Sequence, residues 1–275
     1  MKRPLRWNIA LGVVLLLLAA LVLAPFWFVL TGSVKDPAEI IARLPTMIPD
    51  NFTLQHYTKL LAASDYPIYM LNSLLVATAS TLVTLGLAIP AGYAFFRMSF
   101  RGRETLYRAI LLAYAFPSIV ILIPLFGIFA KLGLVDSRLA LVLVNVAFAL
   151  PFAIWLLRSF FAGIPVEIEE AARLDGGAPF TVLRRIMIPL VAPGIAAVAV
   201  FAFVTAWTEY VFASVLILSD DKRPVPVGFS GIIGQYQIDW GLLLAGASLS
   251  ILPVVILFAF VGRWFVAGLT EGAVK

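Results

Sequence analysis

Tyr66–Phe96 reads YPIYMLNSLLVATASTLVTLGLAIPAGYAFF, 31 residues without one lysine, arginine, aspartate or glutamate. A helix that crosses a bilayer needs about 20 predominantly apolar residues, because 1.5 Å of rise per residue must cover the hydrocarbon core. The run is continuous rather than alternating, so it fits a helix and not a lipid-facing strand. Five further uncharged runs repeat the pattern: Trp7–Val34, Ala109–Ala130, Leu139–Leu157, Ile186–Thr208 and Trp240–Gly262. Pro224–Ile238 is also uncharged, but it is short and carries two prolines and three glycines, so it reads as a loop. The expected fold is all-α: a polytopic membrane protein with six transmembrane helices. Composition agrees, since 62% of the 275 residues are hydrophobic and 13% charged, against roughly 45–50% and about 25% in soluble domains. That balance excludes a water-soluble enzyme and a disordered chain. With no cysteine and a single histidine, His56, thiolate and multi-histidine metal sites are excluded as well.

Charge gives the orientation. The N-terminus, the second and fourth loops and the C-terminus together hold 13 Lys and Arg, and the remaining loops hold 7. Basic residues collect on the cytoplasmic side, so both termini are expected there. The net charge of +5 is thereby read as topology and not as a nucleic-acid surface. The first run follows Lys2, Arg3 and Arg6 but is longer than a signal-peptide core, and it reads as a retained helix. The expected organisation is residues 1–34 as tail and first helix, 66–266 as a five-helix core and 267–275 as a cytoplasmic tail.

Between Arg158 and Ile186 the cytoplasmic loop reads as a short helix with punctuation. Pro165 suits a first helical position. Glu167, Glu169 and Glu170 lie where carboxylates favour the positive end of the helix dipole, and Gly176 with Gly177 supplies a stop. Ile164, Ile168, Ala171, Ala172 and Asp175 fall near one stripe at helical spacing. A narrow alanine face suits docking into a groove of another protein. In the last outer loop, Gly231, Ile232, Ile233, Gly234, Gln235 and Tyr236 suggest a flexible finger, with a simple reverse connection as the alternative.

Glu170-Ala171-Ala172, followed by Gly176 and then by Ile186-Met187-Ile188-Pro189, resembles the "EAA" signature of permease subunits in type I binding-protein-dependent ABC importers. Ile188 stands where that pattern prefers leucine. Residues 267–275 and Trp207-Thr208-Glu209-Tyr210 are similar to segments of the maltose/trehalose branch of carbohydrate permeases, with Thr208 where asparagine is usual. The resemblance implies a heterodimer with a second permease subunit, two cytoplasmic ATPase subunits that bind ATP and magnesium, and an extracytoplasmic sugar-binding protein. This chain would hold no cofactor of its own. The resemblance places Glu169, Glu170, Ala171, Ala172, Arg173, Asp175, Gly176, Ile186 and Pro189 at the ATPase coupling site. It places Gly231–Tyr236 against the binding protein, and Thr270, Glu271, Gly272, Ala273 and Val274 near the ATPase interface. The chain has no Gly-x-x-x-x-Gly-Lys-Ser/Thr phosphate loop, so it is expected to be no enzyme.

Polar groups inside apolar runs are costly and point either to the pathway or to structural hydrogen bonds. Glu209, Asn145 and Asn72 are the candidates. Competing functions are the same machine carrying another oligosaccharide or a glycerophosphate, an ion-coupled secondary transporter, and an intramembrane enzyme, for which the sequence offers little chemistry.

Overall fold

A computed structural model describes residues 5–44, 46–232 and 238–273. The helices are α1 (Leu5–Gly32), α2 (Pro37–Ile40), α3 (Gln55–Ala62), α4 (Tyr66–Arg97), α5 (Arg103–Tyr114), α6 (Ser118–Lys131), α7 (Arg138–Ala162), α8 (Val166–Leu174), α9 (Pro179–Leu190), α10 (Ala192–Trp207), α11 (Val211–Leu216), α12 (Val225–Ile232) and α13 (Trp240–Ala273). No strand occurs among the described residues. An isolated bridge joins Lys35 and Phe52.

Each of the six uncharged runs is helical, but they differ in continuity. α1, α4, α7 and α13 are each long and apolar enough to cross a membrane. The third and fifth runs are each divided: α5 meets α6 at 98°, and α9 meets α10 at 79°. Among the described residues the six expected transmembrane helices correspond to four continuous helices, or to up to six spans if each bent pair counts as one. Proline explains both breaks. Pro117 offers no N–H and pushes Phe116 out of the helical region, so α5 stops at Tyr114. In α9 a π-helical stretch, Leu183–Met187, leads to Pro189, and Pro193 opens α10 beyond Val191. At the C-terminus, α13 runs on through Gly262 to Ala273, so residues 267–273 are helical.

The chain divides into two compact units. The first comprises Met1–Pro67 and Phe229–Leu252. Large apolar side chains along α1, such as Leu16, Leu17 and Leu21, are exposed, which suits a lipid environment. The segment after α1 is cross-tied. Lys35 is buried, and its Nζ donates to the Thr46 carbonyl (2.5 Å). His56 Nε2 donates to the Lys35 carbonyl (2.8 Å). The Thr46 hydroxyl and the Asp50 and Asn51 amides donate to Glu39 and hold its carboxyl below the usual carboxylate range.

The second unit comprises Ile68–Gly228 and Pro253–Lys275. Its centre is the packing of α7 on α10. One end of α7 joins Val76, Phe129, Phe212, Leu216 and Val227 in a core around Leu141 and Val144. The other end joins Tyr93, Phe95, Tyr107, Val182 and Met187 around Leu157 and Phe161. Beside this second core lies α8, whose Ala172 packs against it, as does Ile164 in the preceding loop.

Candidate functional site

α8 is placed by its ends. Pro165 lies just before the helix in an extended conformation, and the helix begins at Val166, one residue later than the sequence suggests. The C-terminal stop has a specific construction. The Gly176 amide donates to the Arg173 carbonyl and the Gly177 amide to the Ala172 carbonyl, both at 3.0 Å, which is the paired Schellman closure. Gly176 has φ +84°, a conformation that costs an L-residue about 1–2 kcal/mol. Gly177 is required for space: a Cβ there would fall 2.6 Å from the Ala172 carbonyl oxygen.

Between these ends sits a buried carboxylate. The Glu169 side chain is 4% exposed. Its Oε1 accepts from the Tyr93 hydroxyl (2.5 Å) and from Arg173 Nη2 (2.6 Å). Its Oε2 lies 2.9 Å from Arg97 Nε, an ion-pair contact bent away from hydrogen-bond geometry. Arg97 in turn donates through Nη2 to the Ile164 carbonyl (2.8 Å), and its guanidinium lies over the Phe96 ring. An unpaired buried carboxylate costs several kcal/mol, and close cationic donors offset that cost. The Tyr93 hydroxyl and the Glu169 charge hold Arg173 more firmly protonated than a free arginine.

The expected docking stripe is therefore split. Ile164 and Ala172 join the core, and Glu169 is turned inward to its partners instead of lying at the surface. Ile168, Glu170, Ala171 and Asp175 are exposed. The rotation follows from Glu169: once that side chain faces α4, Ala172 one turn on must face inward too. Leu174 on α8 and Phe180 on α9 are 89% and 71% exposed, so the outward surface carries large apolar groups as well as the Glu170 carboxylate. Ile186 is half-buried in the π-helical stretch, and Pro189 is exposed near the end of α9.

The intramembrane candidates each have hydrogen-bond partners within the protein. Glu209 lies in the break between α10 and α11, where it accepts from the Phe212 amide (2.7 Å) and the Ala213 amide (2.9 Å) and so caps the shorter helix. Asn72 donates to the Asp221 and Arg223 carbonyls, each at 2.9 Å, and fixes that loop. Asn145 donates to the Leu141 carbonyl of its own helix. Of the expected finger, Gly231 and Ile232 end α12, a helix where a flexible segment was anticipated, and Ile233, Gly234, Gln235 and Tyr236 lie outside the described residues. Thr270, Glu271, Gly272 and Ala273 form the last turn of α13, and Val274 lies outside the described residues.

Sequence reasoning passes over Tyr93 and Arg97 as site residues. Their spacing, four residues apart on the last turns of α4, is the available signal. It also passes over Asp136, a non-glycine residue with φ +58°. The Asp136 carboxylate receives the Leu218 and Ser219 amides, the Ser219 hydroxyl and Lys222 Nζ.

Residues 60–271 match the family model described as binding-protein-dependent transport system inner membrane component. The chain belongs to this family. It is 37% identical to the inner membrane ABC transporter permease protein YcjP of Escherichia coli K12, over 95% of this chain and 94% of that one. It is 33% identical to the trehalose/maltose transport system permease protein MalG of Thermococcus litoralis, over 100% and 99% of the two chains. In fold it is similar to a chain of a bacterial ABC transporter involved in the import of the acidic polysaccharide alginate. That likeness has a TM-score of 0.83 at 24% identity and covers 96% of this chain and 99% of that one. The protein is thus an all-α integral membrane protein of the permease family.

Proposed function

We propose that this chain is the permease subunit of an ATP-driven sugar importer, with α8 as its coupling helix. It forms half of the translocation pathway and pairs with a second, different permease subunit. Two cytoplasmic ATPase subunits bind ATP and magnesium and supply the work, and an extracytoplasmic sugar-binding protein delivers the solute. Both termini face the cytoplasm, and each bent helix pair counts as one of six spans. The observation that carries the reading is the outward face of α8 and α9, where Glu170, Ala171, Leu174 and Phe180 are presented on a helix whose other side is anchored inside the protein. An exposed leucine and phenylalanine beside a carboxylate suit a protein groove. Closure of the ATPases would displace α8 as a body and tilt the permeases between inward- and outward-open states.

Sugar as the solute is supported by the relative named as a trehalose/maltose transport system permease protein. Another oligosaccharide or a glycerophosphate would use the same machine. The test is purification of the tagged chain from native membranes. ATPase subunits should come with it, and ATP hydrolysis in proteoliposomes should rise when the loaded binding protein is added. Uptake driven by a proton or sodium gradient and indifferent to ATP would overturn the reading. A panel of labelled disaccharides then identifies the solute.

A further inference from the structure

We propose that Glu169 does not touch the ATPase but is the internal joint through which α8 pulls on α4, with Arg97 and Tyr93 as the α4 side of that joint. The inference rests on the reading of α8 as the coupling helix and assigns the route by which its displacement enters the membrane.

Covalently, α8 hangs between two glycine-bearing links, residues 163–165 before it and 175–178 after it. Links of this kind transmit tension poorly, because glycine permits wide changes of backbone angle. The contacts of Glu169 bypass both links. They reach Tyr93 and Arg97, 76 and 72 positions earlier in the chain, on the last turns of α4. Arg97 also holds the Ile164 carbonyl, so one guanidinium grips both the helix and the link that precedes it. Glu169 Oε1 accepts from the Tyr93 hydroxyl and Arg173, while Oε2 faces the Arg97 charge. The Tyr93 bond sets direction as well as distance, since the strength of such bonds falls quickly with angle. α4 has 32 residues and at 1.5 Å per residue is about 48 Å long, so a shift at its base is carried the full depth of a bilayer. Two adjacent acids thus divide the work: Glu170 is exposed for the partner, and Glu169 is buried for the permease's own helix. Arg173, half exposed, closes the joint from the surface side.

The absence of cysteine permits a direct test with spin labels at Met98→Cys, beyond the end of α4, and Glu167→Cys, on α8, both exposed positions. Distances are read by pulsed electron paramagnetic resonance. Complexes are isolated through the tagged ATPase subunit, so only assembled transporters contribute, in nucleotide-free and ATP-trapped states. The expected result is a distance that changes by less than about 2 Å between states, because the two elements move as one body. In a Glu169→Gln or Tyr93→Phe background the distribution should broaden or become state-dependent, and solute imported per ATP hydrolysed should fall about tenfold, a typical size for one coupling interaction. Tyr93→Phe removes only a hydroxyl and serves if Glu169→Gln does not assemble. A change of about 5 Å or more between states in the otherwise native chain would overturn the joint, as would native coupling in both variants. Failure of the tagged ATPase to bring down the native chain would refute the functional reading and with it the joint, whereas an assembled complex with independent motion would refute the joint alone.

Discussion

Glu169 reaches across the chain, and Glu209 bonds only the helix that follows it. Both are acids in the second unit, Glu169 within α8 and Glu209 in the break between α10 and α11. Glu169 collects Tyr93, Arg97 and Arg173 from two helices. Glu209 accepts two amides three and four residues ahead of it. The difference separates a group that connects elements from one that shapes a single stretch of chain. An acid bonded across elements makes two helices share a displacement, and an acid that caps its own chain stabilises a break locally.

The contrast is most strongly tested by Glu169→Ala. Removing one member of a buried charge cluster costs about 3–5 kcal/mol, because the remaining charges lose their compensation. The thermal melting point in detergent should fall well below that of the native chain, and native melting would erase the distinction. A smaller loss is expected at the α8 stop. Gly177→Val places atoms against the Ala172 carbonyl, and Gly176→Trp forces a side chain into the left-handed region. Each costs about 1–3 kcal/mol, and ATP hydrolysis should continue while uptake is lost. Normal uptake by Gly176→Trp would count against a tight turn as part of coupling. Glu209→Ala should cost about 1 kcal/mol, the usual value of a lost cap, and should leave solute uptake per ATP unaltered. A coupling defect in that variant would place Glu209 with Glu169 after all.

The smallest effect concerns Asp136 and appears only in acid. Lys222 and Ser219 hold its carboxyl well below the usual carboxylate range. A depressed folded value means the charge stabilises the 217–222 loop fully above the unfolded value, near pH 4, and this contribution is lost as pH falls below it. Protection of the Leu218 and Ser219 amides from hydrogen exchange, relative to the intrinsic rate at each pH, should be full at pH 5 and decline progressively below pH 4. Asp136→Asn should remove that pH dependence, and an unchanged profile would show that the loop is held by other contacts.

The helices themselves were legible because uncharged length is a strong signal. Tyr66–Phe96 in the sequence became Tyr66–Arg97 in the structure, and Gly176 was read as a stop and adopts positive φ. The breaks were less legible. Pro117 and Pro193 stand at the breaks, whereas Pro90, Pro151 and Pro253 lie inside continuous helices, since neighbouring packing decides whether a lost N–H ends a helix. At the site, spacing suggested that Ala171 and Ala172 share a docking face. Helical periodicity alone does not say which side is buried. That choice was made by Tyr93 and Arg97, whose approach to Glu169 depends on packing across more than 70 residues. Asn72 and Glu209 were legible as costly polar groups, but their partners were not.

The central claim is that the exposed side of α8 receives the ATPase. A photo-crosslinking amino acid introduced at Ala171 in the intact importer tests it directly. Irradiation should give a single adduct of this chain with the ATPase subunit, strengthened or shifted in yield by ATP. Adducts with lipid alone, from complexes in which the ATPase is present, would contradict the account.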